Sequence, residues 1–410
     1  MVAASNVADT APTANRPRVA RGWLVAAAVA AMAISTVASA TPRLPERDDE
    51  VLATLPRGVG HSSIELRAQA AARLDVAIPL AQFYISQSRA SGDLRFLGYA
   101  QALLAPWRDR TPPIPAVLVL EATVLQSRHS FAAALSELDR ALTAQPDDLQ
   151  AWLTRATVLR VLGRYEEARG SCQHLTSADP MVAELCTQSV RALEGHLQSA
   201  YATVRALPAA ALSGAAGDWR CSELGEMAAR MGDTAAAERW YRAALDLAPD
   251  DVYTRAAYAD LLLESDRAAE TLRLLQGYES MEPLLLRIAI AQQRVDDSRS
   301  LARSRELLAS AFAVEEQRGE EVHRREQARF LLDVAHQAQA ALSVARENWR
   351  TQREPADALI LARAAQAAGQ PAAAAAAIEF VHRNGLEDRR LAEYLHMASY
   401  REPAPHPEER

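Results

Sequence analysis

Apolar residues recur at helical spacing through most of the chain, from residue 63 almost to its end. Apolar positions three and four residues apart form one face of an amphipathic helix, whereas a half-buried strand needs strict alternation. No extended run alternates Val, Ile or Thr, and the 16 glycines are few for a β-sandwich or a dinucleotide-binding enzyme of 410 residues. The pattern therefore predicts an all-α chain.

The helical pattern repeats at a fixed period. Pro146 and Pro180 are separated by one period of roughly 34 residues. Pro249 follows Pro180 after two such periods and a single extra position, and Phe131 and Tyr165 are one period apart. Self-similarity at a period of about 20 to 50 residues is typical of solenoids, in which each unit packs against its neighbours.

These residues resemble the tetratricopeptide repeat, a helix-turn-helix unit with a bulky opener, a Leu-Gly/Ala pair, aromatics, alanines and a closing proline. One unit fills these places with Trp152, Ala156, Leu159, Gly163, Tyr165, Ala168, Cys172 and Pro180. Another fills most of them with Leu224, Gly225, Gly232, Ala237, Tyr241, Ala244 and Pro249. The clearest units are 115–148, 149–182, 218–251 and 252–283. The resemblance implies a right-handed α-solenoid of about nine helix pairs over residues 63–400.

Small residues of the signature have a packing role. Ala156, Ala168, Gly225 and Ala237 stand where two helices cross closely, so larger side chains there would push the helices apart. A proline such as Pro146 cannot continue the second helix and turns the chain into the next unit.

The stretch "VLGRYEEA", residues 161–168, contains a glycine inside a helix-like run. Glycine disfavours a helix interior and is common just beyond a helix end, so we expect Gly163 to end the first helix of its unit. Tyr165 then packs from the start of the second helix. Glu166 and Glu167 place negative charge in its first turn, where the helix dipole favours it.

The N-terminal segment, positions 1–40, has the order of a secretory signal. Arg16, Arg18 and Arg21 precede an apolar run, residues 22–40, that ends in Ala-Ser-Ala. We expect cleavage after Ala40, which makes the chain an exported bacterial member of the family with a periplasmic location.

The alternative for the apolar run is an uncleaved anchor in the inner membrane, because the run approaches the roughly 20 residues that span a bilayer. The basic residues before it leave the rest of the chain outside the cytoplasm in either case. Residues 41–62 carry three prolines and two glycines and are expected to form a flexible tether. Residues 401–410 are expected to be a disordered tail.

Charge and motifs exclude several function classes. All 45 basic residues are arginine, and the net charge is −7, so no basic surface for nucleic acid is expected. No glycine-rich phosphate loop, Gly-x-Ser-x-Gly elbow or zinc-type histidine pair occurs. We therefore expect no catalytic residue, no metal ligand and no cofactor.

The three cysteines leave two interpretations open. Cys172 and Cys186 fall on helices that should be neighbours, so they could form a disulfide in an oxidising compartment. Alternatively, each cysteine, Cys221 included, fills a small core position as a free thiol. We favour free thiols, because Cys172 occupies the place that Leu138 and Tyr241 hold in other units.

One pair of charges occupies equivalent places in adjacent units. Glu121 and Arg155 lie one repeat period apart, where the repeat usually has leucine. Neighbouring first helices would bring the two side chains within reach. We predict a partly buried ion pair that fixes how the units stack.

In tetratricopeptide proteins the first helices of the units line a concave groove that receives extended peptides or partner helices. The resemblance places the partner-binding groove at Thr123, Gln126, Leu153, Thr157, Arg160, Trp219, Ser222, Glu226, Arg230, Asp260 and Glu264. Each residue alone is better explained as part of a solvated face, but as a set on one side of a superhelix they form the expected docking surface.

The chemistry of this groove limits its partners. Some tetratricopeptide proteins grip a chaperone's C-terminal carboxylate with lysines, and this chain has no lysine to supply such a clamp. Arg230 stands beside Glu226, Asp260 and Glu264, so a basic or mixed-charge protein segment fits better than an anionic one.

The resemblance implies a non-enzymatic, exported scaffold or adaptor that binds another cell-envelope protein, such as the exposed loops of a membrane protein. Two alternatives remain open. One is an envelope enzyme or metal-dependent protein that uses the solenoid as its body, and the other is a self-assembling structural protein. A deep pocket with converging His, Cys and carboxylates would favour the enzyme, and an open groove the scaffold.

Overall fold

The computed structural model describes residues 61–399, apart from 209–211, 213 and 320–321. The first ten helices are α1 (His61–Ala70), α2 (Leu74–Ser91), α3 (Arg95–Arg108), α4 (Pro115–Ser127), α5 (Phe131–Ala144), α6 (Leu149–Val161), α7 (Tyr165–Gln173), α8 (Pro180–Arg191), α9 (Leu197–Ala206) and α10 (Ala215–Met231). The next are α11 (Thr234–Leu247), α12 (Val252–Glu264), α13 (Ala268–Leu274), α14 (Glu282–Arg294), α15 (Ser298–Arg318), α16 (Arg324–Asp333), α17 (Ala338–Thr351), α18 (Pro355–Ala367) and α19 (Ala375–Asn384). Short 3-10 helices cover Pro371–Ala374 and Arg389–Ser399.

From α2 to α19, consecutive helices of the described chain pack as nine pairs, and each pair contacts the next one along the chain. No strand occurs among the described residues. The prediction of an all-α solenoid of helix pairs is confirmed. The four clearest sequence units correspond to α4/α5, α6/α7, α10/α11 and α12/α13. The last described segment, Arg389–Ser399, is a 3-10 helix and not an α-helix.

The turn between α6 and α7, the two helices of the second of these units, is formed at Gly163. Its φ is +72°, a left-handed conformation that suits glycine, and the N–H of Arg164 donates to the carbonyl oxygen of Leu159 at 2.9 Å. Tyr165 begins α7 and is 3% exposed. A Cβ atom at Gly163 would lie 2.6 Å from the ring of Phe380, so a larger residue here would disturb both the turn and its neighbour.

Several helices begin at an aspartate, which helps to explain the regular period. An aspartate at the N-cap accepts hydrogen bonds from the free N–H groups of the first turn. The side-chain caps of this kind are Asp148, Asp179, Asp233, Asp251 and Asp297. Asp148, Asp179 and Asp251 lie between units, whereas Asp233 and Asp297 lie in the turn between the two helices of one unit, so both kinds of connection carry a start signal for the next helix.

The last helix pairs lie against the middle ones. The N–H of Arg353, between α17 and α18, donates to the carbonyl oxygen of Val161 at 2.8 Å. A Cβ atom on Gly195 would lie 3.2 Å from the carbonyl oxygen of Gly385, so the two glycines allow the backbones to approach closely. One buried core is shared by α6, α7 and α8 with α16 to α19. The solenoid thus curls back on itself.

A disulfide joins Cys172 of α7 to Cys186 of α8, with an S–S distance of 1.99 Å. Our preference for free thiols at these two positions is therefore wrong. The second helix of one unit and the first helix of the next pack side by side, which places the two Cα atoms 5.6 Å apart, within the usual range for a bridge. Cys221 is a buried free thiol, as expected.

The predicted ion pair between Glu121 and Arg155 is also wrong. Arg155 Nε lies 3.2 Å from Asp139 Oδ1, and its Nη1 donates to Ser171 Oγ at 2.9 Å, so the guanidinium turns towards the second helices α5 and α7. Glu121 is 1% exposed, and its Oε1 is buried without a hydrogen-bond partner. Burial raises the pKa of the Glu121 carboxyl, although the positive charge of Arg108 opposes this.

The expected signal segment (1–40), the tether up to residue 60 and the tail (401–410) lie outside the described residues. The last two tether residues belong to α1. Among the helices that the structure describes, none combines the length and apolar character needed to cross a membrane.

Candidate functional site

Side chains from α6 and α10 meet although their helices belong to different units. The Arg160 guanidinium of α6 forms an ion pair with the Glu223 carboxylate of α10. Trp219 Nε1 donates a hydrogen bond to the same Glu223 oxygen at 3.0 Å. The Arg160 side chain is 19% exposed and that of Glu223 is 9% exposed, so the pair is largely shielded from water.

A second set of contacts links α10 to α12. The Tyr253 hydroxyl donates a hydrogen bond to the Glu226 carboxylate, and Thr254 Oγ1 donates to Ser222 Oγ at 3.0 Å. Burial and the neighbouring charge of Glu223 raise the pKa of Glu226 to about 7, although the Tyr253 hydroxyl opposes the shift. Tyr253 itself is 53% exposed, so this contact reaches the surface.

We use the name first-helix cluster for Arg160, Trp219, Glu223, Glu226 and Tyr253. The cluster holds two carboxyl groups and one guanidinium. The carboxylate of Glu354, at the start of α18, also acts electrostatically on Arg160. The cluster therefore faces the C-terminal helices and has more acidic than basic groups.

Four of the predicted groove residues, Arg160, Trp219, Ser222 and Glu226, come together at or beside this cluster. The predicted residues nearer the N-terminus are engaged within their own helices. The Thr123 hydroxyl donates to the Val119 carbonyl oxygen at 2.8 Å, and Thr157 donates to the Leu153 carbonyl oxygen at 3.0 Å. Gln126 and Leu153 are partly exposed.

Arg230 does not face an open groove, which corrects its expected role. It is 6% exposed, and its guanidinium donates to the carbonyl oxygens of Glu387 and Ala192. The C-terminal segment covers this position because the solenoid curls back. Arg230 therefore has a structural role, because it holds the C-terminal segment against α10.

Asp260 and Glu264 of α12 likewise contact other units. Asp260 forms ion pairs with Arg287 at 2.7 Å and with Arg329 at 2.6 Å. Burial alone would raise the pKa of Asp260, but the two guanidinium groups lower it to about 2. Glu264 lies 3.2 Å from Arg390, in the C-terminal 3-10 helix. These carboxylates already have partners within the chain.

Sequence reasoning missed Glu223, Tyr253 and Glu354. Glu223 lies one position after a predicted groove residue, and Tyr253 lies at the start of its helix, where its ring reaches back towards α10. Glu354 comes from a unit far along the chain, so no repeat spacing could have placed it near Arg160.

A separate cluster of ligand-type side chains lies between α14, α15 and α16. His323 Nδ1 is 2.6 Å from Glu315 Oε1 and 3.5 Å from Glu282 Oε1. Burial alone would lower the pKa of His323, but the hydrogen bond with Glu315 and the charge of Glu282 raise it to about 9. We expected no metal ligands from the sequence, and the spacing of these three residues gives no recognisable motif.

Residues 221–251 match the sequence profile described as a tetratricopeptide repeat. This match covers α11 and most of α10, so this helix pair is similar in sequence to a tetratricopeptide repeat. No protein among the curated sequences matches the chain.

Solved structures that resemble the chain include the APC/C hetero-tetramer Cut9-Hcn1, at 12% identity and a TM-score of 0.48, covering 79% of this chain and 63% of that one. The chain thus spans less than two thirds of that relative. Pseudomonas aeruginosa pilF has 16% identity and a TM-score of 0.29, with coverage of 60% and 94%. Yeast Tom70 has 11% identity and a TM-score of 0.35, with coverage of 82% and 94%. The fold assignment rests on the helix pairs themselves.

Proposed function

We propose that this chain is a non-enzymatic, exported scaffold that binds a segment of another cell-envelope protein at the first-helix cluster. The observation that carries the proposal is the half-exposed Tyr253 ring, held by the Glu226 carboxylate at the edge of a buried charged network. Exposed aromatic residues with a polar end, backed by a fixed network, are common anchors in protein interfaces.

The position of the cluster in the repeats supports this role. Tetratricopeptide units present their first helices to partners, and the cluster is built only from first helices, α6, α10 and α12. Its hydrogen bonds join side chains 63 and 27 residues apart, so the surface is held in place before a partner arrives. A preorganised surface loses less conformational entropy on binding.

The charge of the cluster favours a basic or mixed-charge partner segment. Glu223 is paired with the Arg160 guanidinium, whereas the hydrogen bond that Glu226 accepts comes from the neutral Tyr253 hydroxyl. An arginine or lysine from a partner would restore a full counter-charge to Glu226. An anionic segment would meet two carboxyl groups.

Export is supported by two independent features. The N-terminal arginines, apolar run and Ala-Ser-Ala have the order of a signal sequence. The Cys172–Cys186 disulfide belongs in an oxidising compartment such as the periplasm, because cytosolic proteins seldom keep such bonds. Sequencing the N-terminus of the purified protein tests this part: Thr41 as the first residue is expected, and a cytosolic chain that begins at Met1 would contradict it.

Affinity capture from solubilised cell envelopes tests the binding role. We expect Tyr253→Ala and Glu226→Gln to lose at least one partner that the native chain retains. The matched controls are Phe83→Ala, an aromatic residue that is 52% exposed on α2, and Glu306→Gln, an exposed carboxylate on α15. Equal recovery of every partner by all five chains would exclude the first-helix cluster as the binding site.

A further inference from the structure

Three helix ends meet at Glu282, Glu315 and His323. Glu282 is the first residue of α14, Glu315 lies in the last turn of α15, and His323 is the residue immediately before α16. The carboxylates and the imidazole thus come from three separate elements. None of the three residues belongs to the first-helix cluster, and the proposed binding of a protein does not use them.

The spacing of the ligand-type atoms suits one metal ion. The candidate atoms of the three side chains all lie within 4.8 Å of one another, with His323 Nδ1 2.6 Å from Glu315 Oε1 and 3.5 Å from Glu282 Oε1. Nitrogen and oxygen ligands lie about 2.0–2.2 Å from zinc, so two tetrahedral ligands are separated by about 3.4 Å. Small side-chain adjustments would bring all three atoms to this separation.

One carboxylate oxygen of the cluster, Glu282 Oε1, is buried but accepts no hydrogen bond. This oxygen points at His323. Buried carboxylate oxygens normally accept hydrogen bonds or coordinate a cation. The side chains of Glu282, Glu315 and His323 are 19%, 14% and 15% exposed, so an ion from solvent can reach them.

We propose that Glu282, Glu315 and His323 form a binding site for a divalent first-row transition metal of the zinc type. An imidazole nitrogen combined with two carboxylates suits zinc better than calcium, which prefers six to eight oxygen ligands. Three protein ligands leave a fourth position for water. The ion fastens the start of α14 to the end of α15 and the start of α16.

Calorimetric titration of Zn²⁺ into the full chain, after treatment with a chelator, tests the site. We expect one ion per chain, and a dissociation constant raised about tenfold or more in each of Glu282→Gln, Glu315→Gln and His323→Gln. Titration of Ca²⁺ in place of Zn²⁺ should give no comparable binding. Three separate variants keep the test valid even if one of them fails to fold.

Matched controls separate this site from adventitious surface binding. His196→Gln and Glu306→Gln change an exposed histidine and an exposed glutamate outside the cluster, and both should bind Zn²⁺ as the native chain does. The proposal is overturned if the native chain does not bind Zn²⁺ in the titration, or if the three cluster variants bind it unchanged. In either case the cluster is a protonated histidine held by two carboxylates.

Discussion

Arg230 of α10 donates two hydrogen bonds to the carbonyl oxygen of Glu387, from Nε at 3.1 Å and from Nη2 at 3.0 Å. The two residues are 157 positions apart in the chain. The same guanidinium also donates to the carbonyl oxygen of Ala192, beyond the end of α8. One buried side chain therefore joins two middle units to the C-terminal segment.

Replacing Arg230 with leucine removes these bonds and leaves the buried carbonyl oxygen of Ala192 and the partly buried carbonyl oxygen of Glu387 without this donor. We expect Arg230→Leu to lower the free energy of unfolding by about 2–4 kcal/mol, since each unsatisfied buried group costs about 1–3 kcal/mol. Urea denaturation followed by circular dichroism measures the change. Arg239→Leu, at an exposed position of α11, serves as the control and should change stability little. A loss no larger than that of the control would contradict the structural role of Arg230.

Glu121 carries a buried carboxyl oxygen without a hydrogen-bond partner, and its pKa is raised by burial. A carboxyl whose folded pKa is raised destabilises the fold once pH rises above its unfolded value of 4.5. We expect Glu121→Gln to raise the unfolding midpoint at pH 7 and to change it less at pH 4. Chemical denaturation at both pH values measures the difference. A variant less stable than the native chain at pH 7 would show that the Glu121 charge is compensated.

Asp260 should stabilise the fold at neutral pH, whereas the charge of Glu121 destabilises it. Its pKa is about 2 in the folded chain against an ordinary 3.8, so its contribution is present above pH 3.8 and is lost as pH falls towards 2. We expect Asp260→Asn to lower the free energy of unfolding at pH 7 by about 2 kcal/mol. The difference from the native chain should shrink between pH 4 and pH 2 in urea titrations. A difference that stays constant over this range would rule out the ion pairs as its cause.

The disulfide between Cys172 and Cys186 closes a short loop, with a sequence separation of 14. Closing a loop of this length stabilises a fold by about 3 kcal/mol in the chain-entropy model. We expect the double variant Cys172→Ala, Cys186→Ala to unfold at a lower temperature than the native chain. Addition of dithiothreitol before heating should destabilise the native chain and leave the double variant unchanged. Cys221→Ala is the control for loss of a buried sulfur and should keep its sensitivity to reductant.

Local structure was largely predictable from the sequence, because it depends on residues close together in the chain. The turn at Gly163 and the start of α7 at Tyr165 follow from glycine conformation and helix-end preferences. The repeat period identified the paired helices, because the same packing requirements recur in each unit. The period also identified which helices carry Arg160, Trp219, Ser222 and Glu226.

Contacts between distant units could not be predicted in this way. The repeat defines a unit but does not fix how strongly successive units curve, and the curvature decides that Arg230 meets Glu387. Side-chain direction was the second limit. Glu121 and Arg155 occupy equivalent places, yet Arg155 turns towards Asp139 and away from Glu121. The approach of Glu282 to His323 joins adjacent units and depends on side-chain directions at helix ends.

The hydrogen bond between Arg353 and Val161 and the core shared by α6 to α8 with α16 to α19 also limit how this protein can evolve and unfold. An open array of repeats frays from its ends and accepts an added or deleted unit, because each unit depends only on its neighbours. Here Val161 and Arg353 belong to units far apart in the chain. Inserting one helix pair between these units would move Arg353 away from Val161. The contact between the C-terminal and the middle helix pairs therefore fixes the number of units between them. The region from α6 to α19 should unfold in one cooperative step.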